Sequence, residues 1–267
     1  MTSHAVAWWH GWLRAIAVLN VALWPLAAVA VIRQHAPPHV ASACYLQLAL
    51  SGVYLAGCAF RSFLPVVDIP RLVLVDSPLS SVLVGRSIAT FAELCFAAQW
   101  ALVLHSAALL SSSPFALAVS LVVVPLIVLA EGCSWYAVLT TEQRAHAVEN
   151  SLWGLSAALA VAAIVAIGPE RVAALYLPTI AGGAAYCAFI FAYDVPMYWA
   201  RWLADQARGR NYLSLADGLV DVRRRRTVSR RWEDWRNEIA WMSLYFTFGV
   251  WSSIWLVYAS LSLGHPS

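Results

Sequence analysis

The chain has 267 residues, of which 61% are hydrophobic and only 12% are charged, and its mean hydropathy is +0.69. Soluble domains carry about 25% charged residues, so this composition excludes a soluble globular enzyme, and its apolar content excludes a disordered chain. All 17 basic residues are arginine, which excludes chemistry that needs a lysine amine, such as a Schiff base or a Walker-type phosphate lysine.

Seven apolar stretches are long enough to cross a bilayer as helices, since about 20 residues span its hydrocarbon core. They cover residues 11–32, 40–60, 87–110, 114–138, 147–168, 172–200 and 239–261. The stretches are continuously apolar rather than alternating, which favours helices over barrel strands. The first is longer than the apolar core of a signal peptide and is therefore taken as a retained helix. The sequence predicts an all-α fold in which residues 1–267 form one transmembrane domain, a bundle of seven helices.

The arginines are distributed unevenly over the connections between these stretches. Fifteen of the 17 lie near the N-terminus or in the loops after the second, fourth and sixth stretches, whereas only Arg33 and Arg171 lie on the other side. By the positive-inside rule, this predicts a cytoplasmic N-terminus, an outside C-terminus and cytoplasmic loops at 61–86 and 201–238. The arginine-only, alanine-rich composition favours a bacterial inner membrane.

The first cytoplasmic loop, residues 61–86, combines apolar runs with three prolines that forbid a continuous helix. It is predicted to form a short interfacial or re-entrant segment. Asp68 and Asp76 either pair with the arginines of the segment and fix it, or belong to a lid over a cytoplasmic pocket. Those arginines are Arg61, Arg71 and Arg86.

The second cytoplasmic loop, residues 201–238, contains ten arginines and six acidic residues. Its segment Arg223–Arg231 is a polybasic cluster, and each arginine near an anionic leaflet contributes about 1 kcal/mol of attraction. The sequence therefore predicts a contact with anionic lipid headgroups at Arg223–Arg231. Nucleic-acid binding is excluded because the chain has neither a soluble domain nor aromatic stacking platforms.

Eight tryptophans lie near the predicted cytoplasmic ends of the helices, where amphipathic rings serve as interfacial anchors. They are Trp8, Trp9, Trp12, Trp199, Trp202, Trp232, Trp235 and Trp241.

Four acidic residues lie inside the apolar stretches, namely Glu93, Glu131, Glu149 and Asp194. Intramembrane carboxylates are energetically costly, so each is a candidate functional residue. At 1.5 Å of rise per residue, each lies about 5–10 Å inward from the predicted cytoplasmic end of its helix. This one-sidedness predicts a polar pocket in the cytoplasmic half of the bundle.

Helical spacing gives these carboxylates polar and aromatic neighbours. The predicted shared faces are Glu131, Ser134 and Trp135 on the fourth helix, His146, Glu149 and Asn150 on the fifth, and Asp194 with Tyr198 on the sixth. A short turn near residues 140–144 joins the fourth and fifth helices, so their two faces are predicted to meet. Pro196 is predicted to bend the sixth helix.

These residues receive three candidate roles. The catalytic candidates are Glu131, His146, Glu149 and Asp194. The substrate-binding candidates are Glu93, Ser134, Trp135, Asn150 and Tyr198. Glu131, His146 and Glu149 are also chemically able to hold a divalent metal. In the structural alternative, the carboxylates pair with Arg86, Arg144, His146 or Asn150, or are protonated, and only lock helix packing. Haem ligation by His35 or His39 together with His105 is a further alternative.

Three functions remain open. A membrane-embedded enzyme or a protein that binds a small molecule or lipid is favoured because the carboxylates lie on one side. A proton- or cation-coupled transporter is the alternative, although a conduit should place polar groups at the midplane and beyond. A structural or assembly protein without catalysis is the third.

Overall fold

The computed structural model describes residues 2–34 and 38–263. Within these residues, seven helices are long and apolar enough to cross a membrane. The all-α class and the seven spans predicted from the sequence are confirmed, and the chain is a multi-pass membrane protein.

Most of the helices continue beyond the apolar stretches that predict them. In chain order, the elements are α1 (Thr2–Arg33), α2 (Pro38–Phe63), β1 (Val66–Val67), β2 (Leu72–Val73), α3 (Val82–Ser111), α4 (Pro114–Thr140), α5 (Gln143–Ile167), α6 (Ala173–Phe189), α7 (Val195–Ala207), α8 (Leu215–Arg224), β3 (Thr227–Val228), α9 (Trp232–Trp235), α10 (Ile239–Leu244) and α11 (Val250–Leu263). The sixth span runs through α6 and α7 to Ala207, so the loop predicted to begin at residue 201 begins later.

Among the described residues, two spans contain a π-helical segment that no pattern in the sequence indicates. Residues Ile190–Asp194 join α6 to α7, and Tyr245–Gly249 join α10 to α11. Pro196 follows the first segment and has no N–H to donate to the carbonyl of Ala192, which explains why the regular helical ladder is interrupted there.

The chain divides into two compact units. The first unit contains the described residues up to Phe96 together with Leu219–Tyr258, and the second contains Ala97–Gly218 and the described residues from Ala259.

The core of the first unit is formed by residues of α1, α2, α3, the small sheet, α9 and the seventh span. Its largest members are Trp9 and Leu13 of α1, Tyr54 and Leu55 of α2, Trp235 of α9, and Met242 and Phe246 in the seventh span. Trp235 is fully buried, and its Nε1 donates a hydrogen bond to the carbonyl of Ser229 at 3.0 Å. Trp9 is also buried, so these two tryptophans are core residues rather than the interfacial anchors that the sequence predicts.

The first predicted loop, residues 61–86, contains two short strands of a small sheet. Strands β1 and β2 pair in antiparallel fashion, and β3 adds to β2 in parallel. Arg71, next to β2, is fully buried and donates to Asp221 at 2.8 Å. Asp68 lies 4.0 Å from both Arg61 and Arg86, as one of the sequence alternatives predicts.

In the second unit, α4 and α5 pack side by side as a helical hairpin. Thr141 ends α4 in a left-handed conformation with φ of 67°, and α5 begins two residues later. The predicted short turn between these two helices is therefore confirmed.

Candidate functional site

His146 and Glu149 form a buried pair in the first two turns of α5. The Nδ1 atom of His146 lies 2.6 Å from Oε2 of Glu149, and both residues are buried. The pair joins positions i and i+3 of one helix, so the helix itself sets the spacing. The pairing of these two residues, which was one of the sequence alternatives, is confirmed.

The beginning of α5 positions His146 through several local contacts. Arg144 pairs with Glu142, the residue that precedes the helix, at 2.9 Å. The side-chain amide of Asn150 donates to the carbonyl of His146 at 2.9 Å. Asn150 therefore acts on the backbone of the turn that carries the imidazole.

Glu131 on α4 lies beside this pair. A carboxylate oxygen of Glu131 is within 4.8 Å of a carboxylate oxygen of Glu149, and both residues are buried. Ser134, one turn further along α4, is fully buried, and Trp135 is half-buried. The predicted meeting of the α4 and α5 faces is thus confirmed for the two glutamates.

The ring of Tyr198 on α7 lies next to the imidazole of His146. The ring centroids of His146 and Tyr198 are 5.1 Å apart, and the guanidinium of Arg201 lies 5.5 Å from the Tyr198 ring centroid. Sequence spacing did not predict the contact between Tyr198 and His146, because it joins two spans. The spacing of Tyr198 and Arg201 at i and i+3 could have indicated the second contact.

Asp194 is buried at the end of the first π-helical segment. This segment packs closely on α5, since a Cβ atom at Gly154 would lie 2.7 Å from the ring of Phe191. Glycine at position 154 therefore permits the close approach of the segment that carries Asp194.

Glu93 belongs to the first unit and forms an ion pair there. The Nη2 atom of Arg86 donates to Oε2 of Glu93 at 2.9 Å, and both side chains are almost fully buried. This is the pairing with Arg86 that the structural alternative predicts.

Three further residues belong to the alternatives that the sequence leaves open. Arg144, which the structural alternative paired with an intramembrane carboxylate, instead pairs with Glu142 and lies over the Trp202 ring at 5.5 Å. Nothing in the sequence indicates the contact with Trp202, which joins distant segments. Of the histidines considered for haem, His35 lies outside the described residues and His105 is half-buried in α3.

The geometry places Nδ1 of His146 against the carboxylate of Glu149. A carboxylate only accepts hydrogen bonds, so in a neutral imidazole that donates to it from Nδ1, Nε2 keeps its lone pair. An imidazole held in this way can accept a proton at Nε2 or bind a metal there.

No family model, curated protein or solved structure matches the chain.

Proposed function

We propose that the chain is a membrane-embedded enzyme in which His146 acts as the general base and Glu149 holds it. The observation that carries this proposal is the 2.6 Å contact between Nδ1 of His146 and the carboxylate of Glu149. A carboxylate on Nδ1 fixes the tautomer and orientation of the ring and stabilises the imidazolium that forms when Nε2 takes a proton.

Neighbouring residues supply the remaining parts of the proposed site. Glu131 adds a second carboxylate beside Glu149, Asp194 is the remaining acid–base candidate, and the Tyr198 ring limits the position of the imidazole. Ser134, Trp135 and Asn150 remain candidate contacts for the substrate. Glu93 is left out of the proposed site because its carboxylate is paired with Arg86.

The substrate that suits this position is an amphipathic molecule dissolved in the membrane. Glu149 and Tyr198 lie inside candidate spans, and the sixth span exposes large apolar side chains around Tyr198. These are Tyr193, Trp199 and Leu203. Such a molecule would reach the site from the lipid phase, and its proton would pass to Nε2 of His146.

The proposal includes an orientation and a location. The arginine distribution supports a cytoplasmic N-terminus, an outside C-terminus and residence in a bacterial inner membrane. It also supports a contact of Arg223–Arg231 with anionic lipid headgroups. A reporter enzyme that is active only outside the cytoplasm, fused after the last residue, is expected to be active. A fusion that is stably expressed but inactive would instead indicate a cytoplasmic C-terminus and an outside N-terminus.

The catalytic proposal is tested with the full chain in liposomes made from a total bacterial lipid extract. Mass spectrometry compares lipid and water-soluble products of the wild type with those of His146→Gln and Glu149→Gln. Loss of a general base lowers a rate by about 10²–10⁴-fold, so product formation by His146→Gln should be nearly abolished. His105→Gln, the same change at a half-buried histidine of α3, is the matched control and should match the wild type.

Two outcomes would contradict the catalytic proposal. Identical products from the wild type and His146→Gln would show that His146 performs no chemistry on the supplied lipids. Equal losses in His146→Gln and His105→Gln would show a general effect of histidine replacement.

Elemental analysis of the same samples tests the divalent-metal version, which predicts bound metal in the wild type and its loss in both Glu131→Gln and His146→Gln.

Proton- or cation-coupled transport is the second candidate, and the first π-helical segment favours it. An interrupted helix that carries a buried carboxylate is typical of ion pathways in membranes, and Ile190–Asp194 combines the two features. Proton flux into liposomes that depends on Asp194, measured with a pH-sensitive dye and Asp194→Asn, would favour transport over catalysis. Equal flux in the wild type, Asp194→Asn and empty liposomes would exclude a proton pathway through Asp194.

A further inference from the structure

The part of helix α8 that belongs to the first unit, residues 219–224, has one buried face. Val222 is fully buried, and Asp221 accepts a hydrogen bond from the buried Arg71 at 2.8 Å. These two contacts fix the rotation of this part of α8 about its axis. The residues at the opposite positions of the helix must therefore face outward.

The outward face combines apolar and basic side chains. Leu219 and Val220 are 48% and 52% exposed, and Arg223 and Arg224 follow them one turn later. Val220, Arg223 and Arg224 line a surface cleft of about 280 Å³. A helix that carries exposed Leu and Val beside arginines is typical of segments that lie in the membrane interface.

The four consecutive arginines Arg223–Arg226 divide into two pairs with different surroundings. Arg225 pairs with Asp221 at 3.1 Å, and Arg226 pairs with Asp76 at 2.8 Å. Arg223 and Arg224 are exposed and form no ion pair with any residue that the structure describes. The two arginines of the cleft are thus the ones in this run whose guanidinium groups remain available to an anion.

We propose that the cleft of Val220, Arg223 and Arg224 binds the phosphate of an anionic phospholipid headgroup. Guanidinium groups bind phosphate oxygens in bidentate fashion, which suits two adjacent arginines on one helix face. Leu219 and Val220 then contact the acyl-chain boundary of the same leaflet. The inference rests on the lipid contact proposed for Arg223–Arg231 and assigns that contact to one helix face.

The apolar residues distinguish a lipid from free phosphate as the occupant. Inorganic phosphate has no group that would gain from exposed Leu219 and Val220, whereas a phospholipid buries them against its chains. Both ligands share the phosphate chemistry of the arginines, so the experiment includes each of them.

The test uses the purified full chain in a non-ionic detergent, titrated with phosphatidylglycerol or with phosphatidylcholine. Native mass spectrometry measures the lipid that remains bound. Each arginine contributes about fivefold to the affinity for an anionic headgroup, so Arg223→Gln with Arg224→Gln should weaken phosphatidylglycerol binding by about 25-fold. Leu219→Ser with Val220→Ser should weaken it as well.

Two matched control variants remove the same amount of charge. Arg230→Gln with Arg236→Gln changes two arginines that are exposed, lie outside the cleft and form no ion pair with the described residues. Arg225→Gln with Arg226→Gln changes the paired arginines of the same run. Both double variants should weaken phosphatidylglycerol binding by about fivefold or less, clearly less than the cleft variant, because neither alters the cleft.

Each contrary outcome overturns a different statement. Equal weakening by all three arginine double variants would show that only the summed charge matters. It would contradict phosphate binding in the cleft but not the wider lipid contact of Arg223–Arg231. Equal retention of phosphatidylglycerol and phosphatidylcholine by the wild type would overturn the contact of Arg223–Arg231 itself. Displacement of phosphatidylglycerol by equimolar inorganic phosphate, with no effect of the serine variants, would assign the cleft to free phosphate.

Discussion

The two compact units each contain a buried acidic side chain in a short contact with a basic side chain of the same helix. In the first unit, Arg86 and Glu93 are seven residues apart on α3 and 2.9 Å from each other. In the second unit, His146 and Glu149 are three residues apart on α5 and 2.6 Å from each other. Burial and distance are similar, so the identity of the basic partner is what differs.

The basic partner determines what each carboxylate can do. Arginine stays protonated at every physiological pH, so its pair with Glu93 is a fixed tie between two turns of a helix. Histidine exchanges protons near neutral pH and keeps a second nitrogen for another partner. The buried glutamate beside an arginine is therefore expected to stabilise the fold. The buried glutamate beside a histidine is expected to support proton transfer.

The largest expected effect tests the fixed pair. Arg86→Ala leaves Glu93 without its guanidinium in a buried position, and breaking a buried ion pair in this way costs about 3–5 kcal/mol. Thermal unfolding in detergent should show a strong loss of stability. Glu93→Gln, which removes the acidic charge, should restore part of it in the double variant. An unchanged unfolding temperature in Arg86→Ala would contradict a stabilising role for the pair.

The next prediction tests the histidine pair, whose disruption should lower the reaction rate rather than the stability. In Glu149→Gln, an amide oxygen still accepts the hydrogen bond from Nδ1, so stability should change by about 1 kcal/mol or less. The rate of product formation should nevertheless fall by about 10²–10⁴-fold, because the amide does not stabilise an imidazolium. Parallel unfolding and product measurements separate these effects. A large loss of stability with an unchanged rate would make the histidine pair structural, like its counterpart in the first unit.

A smaller effect tests how the first unit holds its π-helical segment. Asn20 donates to the carbonyl of Phe246 at 3.0 Å and accepts from Nε1 of Trp251 at 2.9 Å. Asn20→Ala removes both hydrogen bonds and should cost about 1–3 kcal/mol. Hydrogen exchange should increase at residues 245–251. Protection unchanged from the wild type would show that Asn20 does not hold the segment.

The smallest expected effect concerns an exposed ion pair. Asp205 is buried and contacts both Arg208 at 3.0 Å and Arg210 at 3.1 Å, but the Arg208 side chain is 71% exposed. Because Arg210 remains and exposed pairs contribute about 0–1 kcal/mol, Arg208→Gln should barely alter thermal unfolding. A loss comparable with that of Arg86→Ala would show that exposure does not separate these pairs.

Rules that relate residues close in the chain predicted the seven spans and the contacts of Glu149 with His146 and Glu131. Continuous apolar runs identified all seven spans, and spacing at i, i+3 and i+4 placed His146 beside Glu149. The two-residue turn between α4 and α5 then brought Glu131 next to Glu149. These features depend on residues that are close in the chain.

Features that depend on distant segments were not predictable in the same way. Asp76 pairs with Arg226 across 150 residues, and the contact between Arg71 and Asp221 has the same separation. The parallel pairing of β2 with β3 follows from this long-range association, and two-residue strands leave no period in the sequence. Tyr198 reaches His146 for the same kind of reason, because the contact joins two spans.

The π-helical segment Tyr245–Gly249 also has a consequence for evolution. A π-helical turn contains about one residue more than the α-helical turn it replaces. Deleting a single residue there would return the segment to regular α-helical spacing and remove the wide turn whose Phe246 carbonyl accepts a hydrogen bond from Asn20. In sequences that descend from a common ancestor with this chain, we therefore expect the length of this segment and the asparagine at position 20 to change together.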